Sequence, residues 1–332
     1  MNDFHKLIKI LRESNSGFVL LLCHRSADAD AICSAYALQG LLKRFMPNIV
    51  SEIGCPQGIN KPSKLLLEHM PIVVNTKPSI ESADVIAFLD TNTIDQLDQV
   101  ANAIRNSTAP KIIIDHHWPN PETTKICKLC IIDPKAAANC EIVYKLFRQA
   151  RIKPDFNEAK ALFIGIAFDT RHFSLASSST FQTVAKLVAE GIDVQQTLSE
   201  FALPVDTSER LAKLKACKRA KIVRVGEWII ALSYVSAYQA PAAKALMDLG
   251  AHATAVAGQK NGKIDISLRC TRQFMENAGV NLGTDIAIPL GDFLRGIGGG
   301  HAMAAGVTGK GEIEPALKQC LLLMRQKIRK NA

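Results

Sequence analysis

The sequence has few aromatic residues and no long hydrophobic run. Aromatic side chains make up 6% of the 332 residues, which argues against a protein that holds long single strands by stacking many bases. No apolar stretch approaches the roughly 20 residues of a membrane-spanning helix, so we expect no membrane partner. The first residues mix charged and apolar side chains in a helical pattern, which predicts no secretory leader. Together these features favour a cytoplasmic protein with reduced thiols.

The nine cysteines are scattered, and one pair, Cys127 and Cys130, has the spacing of metal ligands. A single pair of this kind, without a second one elsewhere, is a weak indication of a zinc or redox site. Because the pair runs directly into the apolar residues Ile131 and Ile132, we predict that both thiols are buried and inert.

Basic residues outnumber acidic residues by 40 to 31, which gives a formal net charge of +9. A positive protein attracts polyanions such as nucleotides and nucleic acid, although net charge does not determine the fold. The hydrophobic fraction of 48% and the charged fraction of 21% are typical of a globular protein. A chain of this length suits two domains.

The first part of the chain alternates short apolar runs with helical patterns. The apolar runs predict strands at 18–22, 49–53, 71–74, 84–89, 111–114 and 129–132. Helical patterns separate them, at 29–45, 63–69, 94–106, 136–151 and 157–168. Since these strands are continuously apolar and do not alternate with polar residues, they indicate a mainly parallel sheet that helices cover on both faces.

A second α/β pattern follows a mostly helical stretch. Strand pairs are predicted at 220–225 with 228–234 and at 253–257 with 263–268, and Asn261-Gly262 is a strong turn signal in the second pair. Helical patterns follow near 283–295 and 314–329. We therefore predict an α/β protein with three parts. They are a larger domain at 1–190, a helical connector at 191–215 and a smaller α/β domain at 216–332.

Carboxylate and imidazole side chains follow several predicted strands of the first domain or its last helical run. They are His24, Asp28, Asp30, Asp90, Asp115, His116, His117 and Asp169. Each segment alone has a plainer interpretation, because an Asp after a strand is often a helix N-cap. However, ligands of open α/β sheets gather at the carboxyl ends of the strands, so we expect these side chains to converge. Oxygen and imidazole donors without a thiolate suit Mn²⁺ or Mg²⁺.

These segments, in this order, resemble the motifs of the DHH phosphoesterase superfamily. The matching motifs are His24-x₃-Asp28-x-Asp30, Asp90, Asp115-His116-His117 and Asp169-Thr170. The second domain is similar to the DHHA1 domain of the same superfamily, through Arg269 near a strand end and the run Gly298-Gly299-Gly300-His301. The superfamily includes RecJ-like exonucleases, short-oligonucleotide ribonucleases, cyclic-dinucleotide phosphodiesterases and family II inorganic pyrophosphatases.

The resemblance implies a centre of two divalent metal ions, with Mn²⁺ expected and Mg²⁺ as the alternative. It assigns His24, Asp28 and Asp90 to one ion. The other ion is assigned to Asp30, Asp90, His116 and Asp169, so that Asp90 bridges the two. The resemblance also implies catalytic roles for Asp115, which would orient an imidazole, and for His117, which would face the substrate phosphate. Substrate binding is implied for Arg269, Gly298, Gly299, Gly300 and His301.

The resemblance therefore implies a hydrolase that cleaves phosphodiester bonds of short oligonucleotides or related nucleotides in a cleft between its two domains. A RecJ-like exonuclease acting on single-stranded nucleic acid is an alternative. So is a non-catalytic nucleic-acid-binding subunit of a replication or repair complex, although no motif ligand has been lost here. The choice between RNA, DNA, cyclic dinucleotide and bisphosphate nucleotide stays open. The oligomeric state also stays open, with a homodimer as one alternative.

Overall fold

The computed structural model describes residues 1–201 and 206–331. The chain forms two compact units, Met1–Leu203 and Pro204–Ala332. The division into 1–190, 191–215 and 216–332 stays a proposal. None of the described helices combines the length and the hydrophobicity that a membrane crossing requires.

The first unit contains a six-stranded sheet in which all strands pair in parallel. The strands are β1 Phe18–Cys23, β2 Val50–Gly54, β3 Val74–Asn75, β4 Val85–Leu89, β5 Lys111–Asp115 and β6 Leu129–Ile132. Their order in the sheet is β3-β2-β1-β4-β5-β6. The predicted mainly parallel sheet is confirmed. The third strand is shorter than predicted, because pairing begins only at Val74 and the amide of Ile72 bonds the nearby Met70 carbonyl instead of a neighbouring strand.

Helices cover both faces of this sheet. They are α1 Asp3–Glu13, α2 Ala29–Phe45, α3 Lys61–His69, α4 Ala101–Asn106, α5 Pro121–Ile126, α6 Asn139–Ala150, α7 Phe156–Asp169, α8 Ser178–Val188 and α9 Val194–Glu200. Successive strand residues point to opposite faces, so Leu21 belongs to one hydrophobic core and Leu22 to the other. This double burial explains why the strands read as unbroken apolar runs.

The predicted burial of Cys127 and Cys130 is wrong, whereas their predicted inertness stays a prediction. Cys127 is only partly buried and Cys130 is exposed. Cys130 lies on β6, which is the edge strand of its sheet. An edge strand has a neighbour on one side only, so apolar sequence context does not guarantee burial of every side chain on it.

The second unit is built on another six-stranded sheet, in the order β11-β12-β10-β9-β8-β7. Its strands are β7 Lys221–Val225, β8 Trp228–Tyr234, β9 Ala253–Lys260, β10 Lys263–Cys270, β11 Ile297–His301 and β12 Ala304–Lys310. Neighbouring strands are antiparallel except β8 and β9, which are parallel. Both predicted strand pairs are confirmed. β11 and β12 lie outside the predicted strands because their glycines and alanines have low strand propensity.

The helices of the second unit flank this sheet. They are α10 Thr207–Lys218, α11 Gln239–Asp248, α12 Arg272–Asn277, α13 Ile288–Phe293 and α14 Ile313–Asn331. A π-helical segment, Leu282–Ala287, runs directly into α13. The helix predicted near 283–295 is therefore two segments of different winding.

Candidate metal centre

The candidate centre lies at the carboxyl ends of β1, β4 and β5. The order of the sheet reverses at β1, because β2 and β3 lie on one side of it and β4, β5 and β6 on the other. In open α/β sheets such a reversal leaves a crevice beyond the strand ends. The residues that follow Cys23 and Leu89, together with the last residue of β5, Asp115, therefore meet at one edge.

Three overlapping groups of side chains place their oxygen or nitrogen atoms within 4.8 Å of one another. The groups are His24 with Asp28 and Asp90, Asp30 with His116 and Asp169, and Asp90 with His116 and His117. The structure thus brings together every side chain that the sequence analysis assigned to a metal. Their donor atoms are carboxylate oxygens and imidazole nitrogens, which are ligands of hard divalent cations such as Mn²⁺ and Mg²⁺.

Asp90 is shared between two of these groups. Its side chain is buried, with 5% of the residue exposed. Oδ2 lies 3.8 Å from His24 Nε2, and Oδ1 lies 3.3 Å from His116 Nε2. Burial alone would raise the pKa of Asp90, but the imidazoles of His116 and His117 outweigh it and hold the pKa below its usual range. Asp90 is therefore an ionised carboxylate at the middle of the cluster.

The backbone of Asp90 adopts a left-handed conformation, with φ of 53°. Residues with a side chain seldom occupy this region, and such strain concentrates at functional sites. The Asp90 amide donates a hydrogen bond of 3.0 Å to the carbonyl of Ile114 on β5. Its Oδ1 is buried and has no hydrogen-bond partner among the described residues. His116 Nε2 and His117 Nδ1 lie 3.3 and 3.4 Å from this oxygen, so it faces the nitrogen atoms of the cluster.

Asp30 lies in the first turn of α2 and is almost fully buried. Its two carboxylate oxygens accept hydrogen bonds from the amides of Asn139 and Cys140, at 2.5 and 3.0 Å. These amides belong to the first turn of α6, where backbone N–H groups lack partners within the helix. Burial, followed by the charges of Asp90 and Asp169, raises the pKa of Asp30. The first turn of α6 therefore fixes the orientation of this carboxylate.

Asp28 also has a structural contact, because its Oδ1 accepts from the amide of Ala31 at 3.0 Å and caps α2. The capping interpretation and the ligand interpretation are therefore compatible for this residue. One of its oxygens holds the helix start, and His24 Nε2 lies 3.7 Å from that same oxygen.

The imidazoles of His24 and His116 present the same atom to the cluster. His24 Nδ1 lies 2.7 Å from the carbonyl of Arg25, and His116 Nδ1 lies 3.3 Å from the carbonyl of Ala136. Nε2 of His116 is then 3.4 Å from Asp169 Oδ2. Carbonyl contacts of this kind fix the ring orientation of metal-binding histidines. Burial opposes protonation of both rings, but the carboxylates around them outweigh it and raise each pKa to about 9.

Asp115 contacts His117 and is fully buried. Its Oδ1 accepts from the His117 amide at 2.8 Å and lies 2.8 Å from His117 Nδ1. This contact with Asp115, together with Asp90, raises the pKa of His117 to about 10. His117 is the most exposed of the clustered histidines, at 53% of its side chain. Asp115 engages Nδ1 of His117, which leaves Nε2 as the other ring nitrogen of this exposed side chain.

The substrate residues predicted for the second unit divide into two sets. Arg269, Gly299, Gly300 and His301 line an open groove of about 790 Å³. Arg269 pairs with Ala304, which in turn pairs with His301, so Arg269 and His301 flank the same β12 position. Gly298 instead packs tightly against the backbone, because a Cβ there would overlap the Ala287 carbonyl. Its contacts are those of a packing residue.

Comparison with known proteins identifies the family of this chain. Residues 18–166 match the DHH family N-terminal domain, and residues 237–330 match the DHHA1 domain. An uncharacterized protein of Methanocaldococcus jannaschii is 33% identical over 87% of this chain and 86% of its own length. The chain belongs to the DHH family. The groove described above lies within its DHHA1 domain, and the candidate metal centre is built largely from its DHH domain.

One further relative and one solved structure are also similar to this chain. The cyclic-di-AMP phosphodiesterase GdpP of Bacillus subtilis is 29% identical over 63% of this chain and 33% of its own length. This chain thus spans about one third of that relative. An exopolyphosphatase-related protein from Bacteroides fragilis has a solved structure that aligns with a TM-score of 0.61 and 19% identity, over 98% of this chain and 96% of that one. DHH proteins, phosphodiesterases among them, are hydrolases, and this chain is one of these hydrolases.

Backbone groups that the sequence does not predict hold the side chains of the candidate centre in place. The carbonyl of Ala136 and the amides of Asn139 and Cys140 contact His116 and Asp30. Main-chain atoms carry no side-chain signature, so residue types could not reveal them. The apolar run that ends at Asp169 was the only available signal that α7 reaches the centre.

Proposed function

We propose that this DHH protein hydrolyses phosphodiester bonds of short oligonucleotides or related nucleotides with the help of divalent metal ions. The observation that carries this proposal is the convergence of four carboxylates and three imidazoles at the β1/β4 reversal. The name of the Bacillus subtilis relative, a cyclic-di-AMP phosphodiesterase, supports a phosphodiester of nucleotides as the substrate class.

The residues present fit a centre of two divalent ions, with Mn²⁺ expected and Mg²⁺ as the alternative. His24, Asp28 and Asp90 would hold one ion. Asp30, Asp90, His116 and Asp169 would hold the other. The buried Oδ1 of Asp90, which lacks a hydrogen-bond partner among the described residues, supports this assignment. When bound, such ions supply a nucleophile from water near neutral pH and neutralise charge on the phosphate oxygens.

His117 would act on the substrate side of the centre, and Asp115 would act through it. Asp115 holds the His117 ring through Nδ1 at 2.8 Å, so the ring is oriented before a substrate arrives. Its Nε2 would then contact a phosphate oxygen or the departing oxygen. The buried position of Asp115 makes it a positioning residue, because it reaches the reacting atoms only through His117.

The groove of the DHHA1 domain would bind the substrate away from the bond that breaks. Arg269 offers a planar pair of N–H donors that match a phosphate. Gly299 has no atom within 4 Å of the position that a Cβ would take, so a ligand can approach the backbone there. His301, on the same edge strand as Gly299, adds a further donor. This arrangement suits a substrate with more than one phosphate or with a phosphate and a nucleoside.

The decisive experiment measures hydrolysis by the purified chain with Mn²⁺. The substrates are labelled dinucleotides, longer single-stranded RNA and DNA, cyclic dinucleotides and adenosine 3′,5′-bisphosphate. We expect the wild type to cleave the short phosphodiesters, and Asp90→Asn to reduce the rate on the order of 100-fold or more. Asp98→Asn is a matched control, because Asp98 also has a left-handed backbone, with φ of 36°, and belongs to none of the clustered groups.

Two results would contradict the proposal. One is that the wild type cleaves no member of the panel. The other is that Asp90→Asn cleaves as well as Asp98→Asn does. Retention of all the motif ligands already disfavours a purely binding role, since a non-catalytic subunit would have no need to keep them together.

A further inference from the structure

We propose that Trp118 stacks on a nucleobase of the substrate and so makes the enzyme prefer nucleotides over phosphodiesters without a base. This inference rests on the proposed function and names the part of the substrate that the DHH domain recognises besides phosphate. Trp118 would be a specificity-determining residue, whereas the metal cluster acts on any phosphodiester.

The indole of Trp118 is presented to solvent beside the metal centre. The residue is 80% exposed, whereas the other tryptophan of the chain, Trp228, is 5% exposed. Trp118 directly follows His117, so their Cα atoms are about 3.8 Å apart. Its indole makes no ring contact with the described residues. A large apolar surface therefore lies open next to the residue that would face the phosphate.

The backbone of Trp118 is held although its ring is exposed. The side-chain amide of Asn92 donates to the Trp118 carbonyl at 3.2 Å. Asn92 lies two residues after Asp90, so the loop that carries the shared carboxylate also anchors the tryptophan. On the other side, Pro119 restricts residue 118 to extended conformations. The backbone that carries the indole ring is therefore held in place.

Asn120 secures the same loop at its far end. Its Oδ1 accepts from the amides of Glu122 and Thr123, at 2.9 and 3.2 Å, and so caps α5. Its Nδ2 lies 3.4 Å from Thr93 Oγ1, in the loop after β4. Single exposed apolar residues are common on protein surfaces. A tryptophan on a loop tied at both ends, beside a metal cluster, is better placed to bind a ligand at low entropic cost.

A nucleobase is the group that best fits this ring. Every base has a flat aromatic face, and stacking on a protein aromatic side chain is favourable without depending on base identity. The phosphate at the metal cluster and the base on Trp118 would then belong to the same nucleotide or to neighbouring ones. Removing the ring should weaken binding of a base-bearing substrate about tenfold.

The test compares kcat and KM for a dinucleotide and for its abasic analogue, in which both bases are replaced by hydrogen. We expect Trp118→Ala to raise the KM of the dinucleotide about tenfold, with kcat little changed and with the abasic KM unchanged. Trp118→Phe should restore most of the affinity, because it keeps an aromatic face. Phe156→Ala is the matched control, because Phe156 is 52% exposed and lies at the opposite end of α7 from Asp169.

The inference is overturned if Trp118→Ala raises the KM of the dinucleotide and the KM of the abasic analogue equally, or if it changes neither KM. Failure of the proposed function has a different signature, in which the wild type cleaves no dinucleotide at all. Binding can still be tested in that case by titrating the dinucleotide into the wild type and following tryptophan emission, with calorimetry as an independent measure of binding. We expect the titration to quench the emission and Trp118→Phe to abolish the quenching. Equal quenching in both proteins, or binding without quenching, would contradict stacking.

Discussion

Two neighbouring glycines of β11 allow a test of how closely this strand of the DHHA1 domain packs against its neighbours. A Cβ at Gly298 would lie within 3.0 Å of the carbonyl carbon and oxygen of Ala287, and 3.1 Å from the amide nitrogen of Ile288. A Cβ at Gly299 would have no neighbour within 4 Å. Neither glycine has a positive φ, so both accept alanine as far as their own backbone is concerned. The two substitutions differ only in what the new methyl group meets.

The expected difference follows from the nature of the colliding atoms. Backbone atoms cannot rotate away as a side chain can, so Gly298→Ala must displace β11 or the π-helical segment. That segment contributes Leu282, Ile286 and Ala287 to the hydrophobic core of the second unit. Overpacking of this kind destabilises by about 1–3 kcal/mol, and we expect the upper end here. Gly299→Ala should change stability by less than about 1 kcal/mol, and in the stabilising direction.

Urea unfolding followed by tryptophan fluorescence measures this difference. In a Trp118→Phe background the only tryptophan is Trp228, which lies in the core of the second unit. A loss of about 3 kcal/mol lowers the unfolding midpoint by about 1–3 M, since urea slopes of small domains are about 1–3 kcal/mol/M. Gly299→Ala should leave the midpoint almost unchanged while weakening substrate binding, because Gly299 lines the groove and Gly298 does not.

Two outcomes would refute this reasoning. An unchanged midpoint for Gly298→Ala would show that β11 is not pressed against the π-helical segment. Equal destabilisation by both substitutions would show that the glycine run is needed for strand geometry and not for one close backbone contact. If Gly298→Ala weakens substrate binding without lowering the unfolding midpoint, Gly298 is a substrate-binding residue, as the sequence predicted.

Three further predictions concern the first unit. Asp115→Asn should lower kcat about 10- to 100-fold in steady-state assays without unfolding the chain, because it weakens the hold on His117; an unchanged kcat would contradict that role. Mn²⁺ should raise the unfolding temperature of the wild type in calorimetry, and Asp30→Asn should reduce the shift, because bound cations stabilise only the folded state. Arg44→Ala should destabilise by about 3 kcal/mol in urea unfolding, because it removes the ion-pair partner of the buried Glu158 carboxylate. The double variant with Glu158→Gln should recover part of that loss, and no recovery would argue against the pair.

The residue pattern alone determined the class of the first domain and the position of its centre. Unbroken apolar runs such as 18–22 and 111–114 require burial on both faces, which few arrangements other than a helix-covered parallel sheet provide. Because carboxyl ends of parallel strands share an edge, polar residues after those runs had to converge. The residues predicted as metal ligands therefore lie together in the structure.

The tertiary structure alone decided how the converging side chains are held and which neighbours they meet. Asp30 accepts from Asn139, which is 109 positions away in the chain, and no local pattern encodes such a distant contact. The same is true of the difference between Gly298 and Gly299, which are identical in type and adjacent in sequence. Exposure of Cys130 and Trp118 likewise depends on which elements cover them. The pattern of apolar and polar residues along the chain indicates which residues must be buried. The packing of distant segments decides which contacts each residue makes.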